Sequence, residues 1–409
     1  MQFKDPIGII ELGNLNIKCV IFKISHDEVE LLSTFSTPSD GIHNDTITNL
    51  PKASKTIRSC IGGAEKKAKV SLKKINLVFE QPDFLCTKFS KNKKIDGSKI
   101  HKEDIEFLLK EGKKQLTLND KRQTIIHIFN HNYVVDGKKF LEEPIGVFAD
   151  SFSHEITFVT VPKNNIKNIN QVFNDCDIEI ERFISRTFSL GAKLLQDKEL
   201  ETGSGIIDLG FEKISFGIFK NFALVHSLTF PIGINHITKD ISKVCSLSLE
   251  ESEKIRNDID FSFVDNKKLF NEENHLKNIY FINSNYRKIS KNLILNVVKS
   301  RLDEIFEILK KQLTISGFNK NSVINILLTG GGSNLLNIEK NFANFFDPKT
   351  RNINKTKPDL ENTFQHKFTA CLGALKIIKE GWETEAIPEA GRKNIEKLGF
   401  FSRFFGVNK

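Results

Sequence analysis

The chain has 409 residues, six of them cysteine, and a formal net charge of +9. Its length allows two or more domains. Its 39% hydrophobic and 27% charged residues are those of an ordinary globular protein, and no window holds the roughly 18 consecutive apolar residues of a spanning helix.

The start, MQFKDPIGII, runs straight into a strand, so no signal peptide is expected. Strands are predicted at 7–12, 17–24 and 28–35, then a helix over 52–69 and a strand at 75–80. A polar region, 84–125, carries a helix over 102–116. Strands follow at 125–130 and, on a period of two, at 154–162. Residues 163–174 read as helix, and a short strand at 178–185 leads into a helix ending near Leu195. DKELETGSG, 197–205, is polar and glycine-containing and reads as a domain joint. In the second half, helices are predicted at 249–257 and 285–316, the latter from Leu293, Val297, Leu302, Ile305, Phe306 and Leu309 at helical spacing. Residues 323–342 read as a buried strand, a glycine turn and a helix, and 366–381 as a last core helix. Residues 385–393 read as a flexible linker and 394–409 as a separate amphipathic unit.

The cysteines (Cys19, Cys60, Cys86, Cys176, Cys245, Cys371) lie far apart without a Cys-x-x-Cys pair. That speaks against a zinc site or a disulfide framework, and for a reducing cytosol. Lysine is spread along the whole chain, with no basic stripe interleaved with aromatics. Ile, Asn, Lys and Phe are abundant while Met, Trp and Tyr are scarce, so the charge fits an AT-rich genome better than nucleic-acid binding.

One stretch occurs twice. Residues 8–23 read GIIELGNLNIKCVIFK and residues 205–220 read GIIDLGFEKISFGIFK, identical at nine of sixteen positions without a gap. Glu11 in the first copy matches Asp208 in the second. Each copy is a strand, an acid, a glycine turn and a second strand. A carboxylate at a strand end can hold Mg²⁺ through its water shell, and a glycine two residues later lets backbone N–H groups approach phosphate oxygens. Glu11 with Gly13 and Asp208 with Gly210 have that spacing. TGGGSNLL, 329–336, sets further glycines between a strand and a helix, where bare backbone can pack against a base or phosphate. A tight strand turn explains any one of these elements. The three together point to a nucleotide-binding ancestry, and to an α/β fold of duplicated actin-like (ribonuclease H-like) domains around a nucleotide cleft.

On these motifs the chain resembles the FtsA family of bacterial cell-division proteins over essentially its whole length. The resemblance divides it into a first actin-like domain (1–83 and 163–201) interrupted by an FtsA-type inserted subdomain (84–162). A second actin-like domain (202–236 and 317–362) is interrupted by a helical subdomain (237–316). A return helix (363–384), the linker and a membrane-targeting helix (394–409) complete it. It implies ATP with Mg²⁺ on Glu11, Gly13, Asn14 and Lys18 of a first phosphate loop and on Asp208, Gly210 and Lys213 of a second. Gly330, Gly331, Gly332 and Asn334 would form the adenosine loop, and Glu251 and Lys254 a Glu-x-x-Lys helix along adenine and ribose. Glu11 and Asp208 would hold the metal. The implied partners are the C-terminal tail of FtsZ on Arg287 and Arg301, further copies of the chain in filaments, later division proteins through 84–162, and an anionic membrane. The implied place is the cytoplasmic side of the inner membrane at the division site. Arginines suit a tail carrying acidic and apolar residues; plain solvated arginines are the alternative.

In NIEKLGFFSRFFGVNK, helical spacing puts Leu398, Phe400, Phe401, Phe404, Phe405 and Val407 on one half. Each large side chain contributes up to about 1.5–3 kcal/mol, less at an interface, and each basic residue about 1 kcal/mol near anionic lipid. That suits weak binding by a monomer, strengthened when many tethers act together. The alternative is a helix docked on the protein itself.

The chain departs from the family where Phe211, Glu212 and Lys213 replace the Gly-Gly-Thr of the second loop. Phe211 brings a side chain to a place meant for bare backbone, and Glu212 would repel phosphate with Lys213 offsetting it. Asn14 replaces Ser or Thr, and Lys18 stands two residues beyond the usual lysine. Nucleotide is therefore expected to bind weakly or to be hydrolysed negligibly. A sugar or acid kinase of the same superfamily would need a clean second loop and a catalytic base, and neither is seen. A PilM-like assembly platform shares the inserted subdomain but lacks the phenylalanine-rich tail.

Overall fold

A computed structural model of the chain describes residues 6–25, 28–315, 325–346, 350–352 and 367–380. The linker and tail predictions at 385–409 lie outside these. The chain forms two compact units. One is built on the residues up to Ser204, Gly217–Leu228 and the last helix; the other on Gly205–Phe216 and on the chain from Thr229 to the last strand.

The first unit opens with β1 (Ile7–Glu11), β2 (Asn16–Ser25) and β3 (Glu28–Pro38), an antiparallel meander. All five β1 residues are buried, which fits its place in the middle of a sheet. A small hairpin, β4 (Ile42–His43) and β5 (Thr46–Ile47), leads to α1 (Leu50–Ala68). Asn49 caps α1 by accepting the Lys52 N–H at 3.1 Å, and Ala53, Ile57, Cys60, Ile61 and Ala64 form its buried stripe. Strand β6 (Lys74–Phe79) lies parallel to β1.

The inserted segment comes next as β7 (Leu85–Lys99), α2 (Lys102–Asn119), β8 (Gln123–Val135), β9 (Lys138–Phe140) and β10 (Phe148–Pro162). These strands make their own sheet, in the order β7-β10-β8-β9. Its core includes Ile100, Ile105, Leu108, Tyr133 and Phe152. The polar region 84–125 thus contains a 15-residue strand that its composition does not suggest. As a sheet edge, β7 exposes most of its residues and carries lysines in place of an apolar alternation.

The chain re-enters the first sheet through α3 (Lys163–Asn174), β11 (Glu179–Ser185) and α4 (Arg186–Leu194). The expected joint at 197–205 begins with a short helix, α5 (Asp197–Thr202), because Glu199 and Leu200 are buried there. Gly203, at φ 119°, then turns the chain.

The second half repeats the plan with β12 (Ser204–Leu209), β13 (Ile214–Lys220) and β14 (Ala223–Phe230), followed by α6 (Ile234–Cys245), α7 (Leu249–Asp258) and α8 (Lys291–Ile315). Next come β15 (Asn325–Thr329), α9 (Ile338–Phe346), β16 (Thr350–Asn352) and α10 (Thr369–Glu380). In α8 the core takes Leu302, Ile305, Phe306 and Leu309 as expected, with Ile294, Leu295, Val298 and Leu313, while Leu293 is exposed.

The duplication is visible in the topology. The first sheet runs β3-β2-β1-β6-β11 and the later one β14-β13-β12-β15-β16, each a three-strand meander extended by two further strands. The extensions are parallel in both: β1 with β6, β6 with β11, and β15 with β16.

Candidate functional site

In the first unit the glycine turn between β1 and β2 is tight. A Cβ on Gly13 would stand 2.7 Å from the Asn16 carbonyl oxygen. Asn14 is spent on the neighbouring hairpin: its Nδ2 donates to Asn44 Oδ1 at 2.9 Å, and its Oδ1 accepts the Asn44 N–H at 2.5 Å. Glu11 is 2% exposed and is held by cations from two elements. Lys18, its cross-strand partner, places Nζ 3.0 Å from Oε1. Arg186, the first residue of α4, pairs with the same oxygen. Cys371 Sγ on α10 stands 3.7 Å from Oε2.

The second turn repeats the geometry of the first. A Cβ on Gly210 would meet the Lys213 carbonyl oxygen at 2.5 Å, and the Gly210 N–H donates to that oxygen at 3.0 Å. This turn is laced to α6. The Gly210 and Phe211 carbonyls accept the N–H groups of Ile234 and Asn235, at 3.1 and 2.8 Å. Glu212 accepts from Asn235 Nδ2 at 2.7 Å and from Lys239 Nζ at 3.0 Å. Burial pushes the Glu212 carboxyl up, but the bonds from Asn235 and Lys239 outweigh it and hold the group below its usual range. The counter-charge to Glu212 is thus Lys239; Lys213 itself is buried.

Asp208 is 5% exposed. A Cβ on Gly330, which sits at φ 86°, would come within 2.3 Å of its Oδ1, so only glycine fits there. Gly331 has open space around it, whereas Gly332 packs against Ile234 and Leu209. Gly331 to Asn334 form one 3₁₀ turn, in which Ser333 Oγ donates to the Gly330 carbonyl at 2.7 Å and Asn334 is exposed.

Glu251 is fully buried. Its carboxylate accepts the N–H groups of Ser248, Ile282, Asn283 and Ser284 and the Ser284 hydroxyl, all at 2.7–2.8 Å. Both oxygens are thereby used to cap α7 and to pin the segment 282–284. Lys254 is exposed and donates to the Ile279 carbonyl at 3.1 Å. Arg287 donates to the carbonyls of Cys245 and Ser246 at the end of α6. Arg301 on α8 forks onto Asp240 of α6, at 2.7 and 3.0 Å, and also pairs with Glu304. The membrane residues Leu398, Phe400, Phe401, Phe404 and Phe405 lie outside the described residues.

A magnesium ion does not fit at Glu11. It would need an oxygen with spare negative charge, and this carboxylate already faces an ammonium and a guanidinium. Among the described residues, no group of three or more His, Cys, Asp or Glu is placed to hold a metal ion. Arg186 was missed in the sequence because nothing local marks it; only the fold brings α4 to β1. The partners of Glu212 were missed for the same reason. All six cysteines are free thiols and five of them are buried.

The paired sheets and the inserted four-stranded sheet define an actin-like protein with a subdomain set into its first half. Solved structures agree on the fold. A chain of the PilM–PilN type IV pilus biogenesis complex aligns with a TM-score of 0.62 at 11% identity, over 90% of this chain and 96% of that one. MreB5 of Spiroplasma citri bound to ADP aligns with a TM-score of 0.50 at 13% identity, over 92% and 97%. A family model described as "SHS2 domain inserted in FTSA" matches residues 85–160, and one described as "Cell division protein FtsA" matches residues 205–373. Proteins named cell division protein FtsA are similar over most of the chain. That of Buchnera aphidicola subsp. Acyrthosiphon pisum is 25% identical over 91% of this chain and 90% of its own. That of Bacillus subtilis is 23% identical over 79% and 72%, and that of Agrobacterium fabrum 21% over 80% and 76%. The chain belongs to the FtsA family of cell division proteins.

Proposed function

We propose that this chain is a division adaptor. It assembles in an actin-like way, takes hold of the C-terminal tail of FtsZ, and ties FtsZ filaments to the cytoplasmic face of the membrane through residues 394–409. Later division proteins dock on the inserted subdomain. The observation that carries this reading is the FtsA-type insert set into the first of two copies of the actin-like sheet. The polymer is what makes a weak tail sufficient, since many tethers act together. Nucleotide is at most a weakly held ligand here and no step depends on its hydrolysis, because Phe211 and Glu212 stand in the second turn and a carboxylate repels phosphate.

Pelleting with vesicles rich in anionic lipid tests the membrane role. The full chain is expected to sediment, and a chain ending at residue 393 to lose at least about tenfold in apparent affinity. Sedimentation of neither form would favour a PilM-like platform, the fold's other reading.

The FtsZ tail is placed on the α6–α8 face, against Arg287 and Arg301. Arg301 already holds Asp240, so an acidic peptide must share or displace that pair. Replacing both arginines by alanine is expected to weaken FtsZ-tail peptide binding about tenfold in fluorescence anisotropy. Unchanged affinity rejects this face.

A further inference from the structure

We infer that Arg186 and Lys18 fill the cation seat of Glu11, so that the first turn takes a phosphate-bearing ligand without a magnesium ion. The inference rests on reading the β1–β2 turn as a phosphate turn and goes beyond it in naming what replaces the metal.

Three observations carry it. Glu11 is 2% exposed, so its charge needs a partner inside the fold. Two cations meet it at one oxygen, Lys18 from β2 at 3.0 Å and Arg186 from the start of α4. Both are largely buried themselves, at 20% and 18% exposure, so neither swings freely into solvent. A guanidinium is always protonated and does not leave as a hydrated ion does. A dication approaching the same oxygen would meet two positive charges at close range, with little water to screen them.

Two nearby acids hold other groups. Glu80 accepts the Ser185 hydroxyl at 2.8 Å and the Thr187 N–H at 2.9 Å. Asp45 accepts the Glu80 N–H at 2.8 Å. These acids serve the helix start and the adjoining loop, and Arg186 turns to Glu11. The fixed cations also join β1, β2 and α4 at one carboxylate.

The test is isothermal titration of the full-length chain with ATP, in MgCl₂ and again in EDTA. The wild-type dissociation constant is expected to change less than about twofold between the two buffers. Arg186→Gln frees one side of Glu11, and its ATP affinity is expected to become Mg²⁺-dependent by at least about tenfold. Lys18→Gln serves as the second variant if Arg186→Gln does not fold. A tenfold Mg²⁺ dependence in the wild type overturns the inference and leaves the phosphate-turn reading standing. Variants that bind ATP and stay indifferent to Mg²⁺ also overturn it. Absence of binding in both buffers, in the wild type and in every variant, overturns the phosphate-turn reading and this inference with it.

Discussion

Glu251→Ala should destabilise the helical part of the second unit by about 1–3 kcal/mol, read from urea unfolding. The carboxylate is fully buried and accepts five hydrogen bonds, three of them from the consecutive N–H groups of Ile282, Asn283 and Ser284. Alanine removes the acceptor these N–H groups share, and water reaching the exposed residues Ile282 and Asn283 makes good only part of the loss. Glu251→Gln should fall between, since an amide turns donors toward donors at one end. The pH dependence has its origin in the same contacts. Burial pushes the carboxyl up, but the Ser284 hydroxyl and the N–H groups of Ser248, Asn283 and Ser284 outweigh it and bring the group from 4.5 to about 2. The folded value lies below the unfolded one, so this stabilisation is fully present above about pH 4.5 and fades as pH falls toward 2. The Gln variant should therefore lose less stability than the wild type between pH 5 and 3, a window set by that shift. A loss under about 1 kcal/mol for Glu251→Ala would mean the carboxylate serves a ligand and not the fold.

That residue also shows what the sequence could and could not yield. Ser248-x-x-Glu251 is a capping box, a local signature that announces the start of α7. The family resemblance drew attention to a nucleotide role, while the bonds to 282–284 cannot be seen before the loop is placed. The duplicated turns were legible because their chemistry is local: Gly13 and Gly210 each face a carbonyl three residues on. Strand β14 and helix α6 went unassigned. Yet Ile234, Ile237, Thr238, Ile241 and Cys245 do carry a helical period; between them Asn235 and Lys239 turn to Glu212, Asp240 to Arg301, and Val244 lies exposed. Strand β7 was hidden for the opposite reason, since an exposed edge needs no apolar alternation. Arg186 and Asp240 acquire meaning only through partners distant in the chain, Glu11 and Arg301.

Gly373→Val is expected to be the most damaging substitution of a single small side chain in the first unit. Helix α10 crosses α4 so closely that a Cβ on Gly373 would lie 1.9 Å from the Ser189 carbonyl oxygen and 2.6 Å from its carbon. The obstacle is helix backbone, which cannot rotate aside as a side chain can. The contact is reinforced by Lys376 Nζ, which donates to the Ala192 carbonyl at 3.0 Å, and by the buried face of Ala370, Cys371, Ala374 and Ile378. Two effects compete even for Gly373→Ala. Helix propensity favours alanine by about 1 kcal/mol, whereas overpacking costs about 1–3 kcal/mol or more. With backbone as the obstacle the second wins, and alanine should lose about 1–2 kcal/mol net. Valine, bulkier and a poorer helix former, should lose at least about 3 kcal/mol. Gly62 in α1 is the control, because a Cβ there meets nothing within 4 Å. Gly62→Ala should gain up to about 1 kcal/mol from propensity alone. If both alanine variants moved stability in the same direction, the α4–α10 crossing would not be a close backbone contact. Because Cys371 on α10 also faces Glu11, a displaced α10 should loosen the Lys18–Glu11–Arg186 cluster, visible as faster amide exchange across β1 and the start of α4.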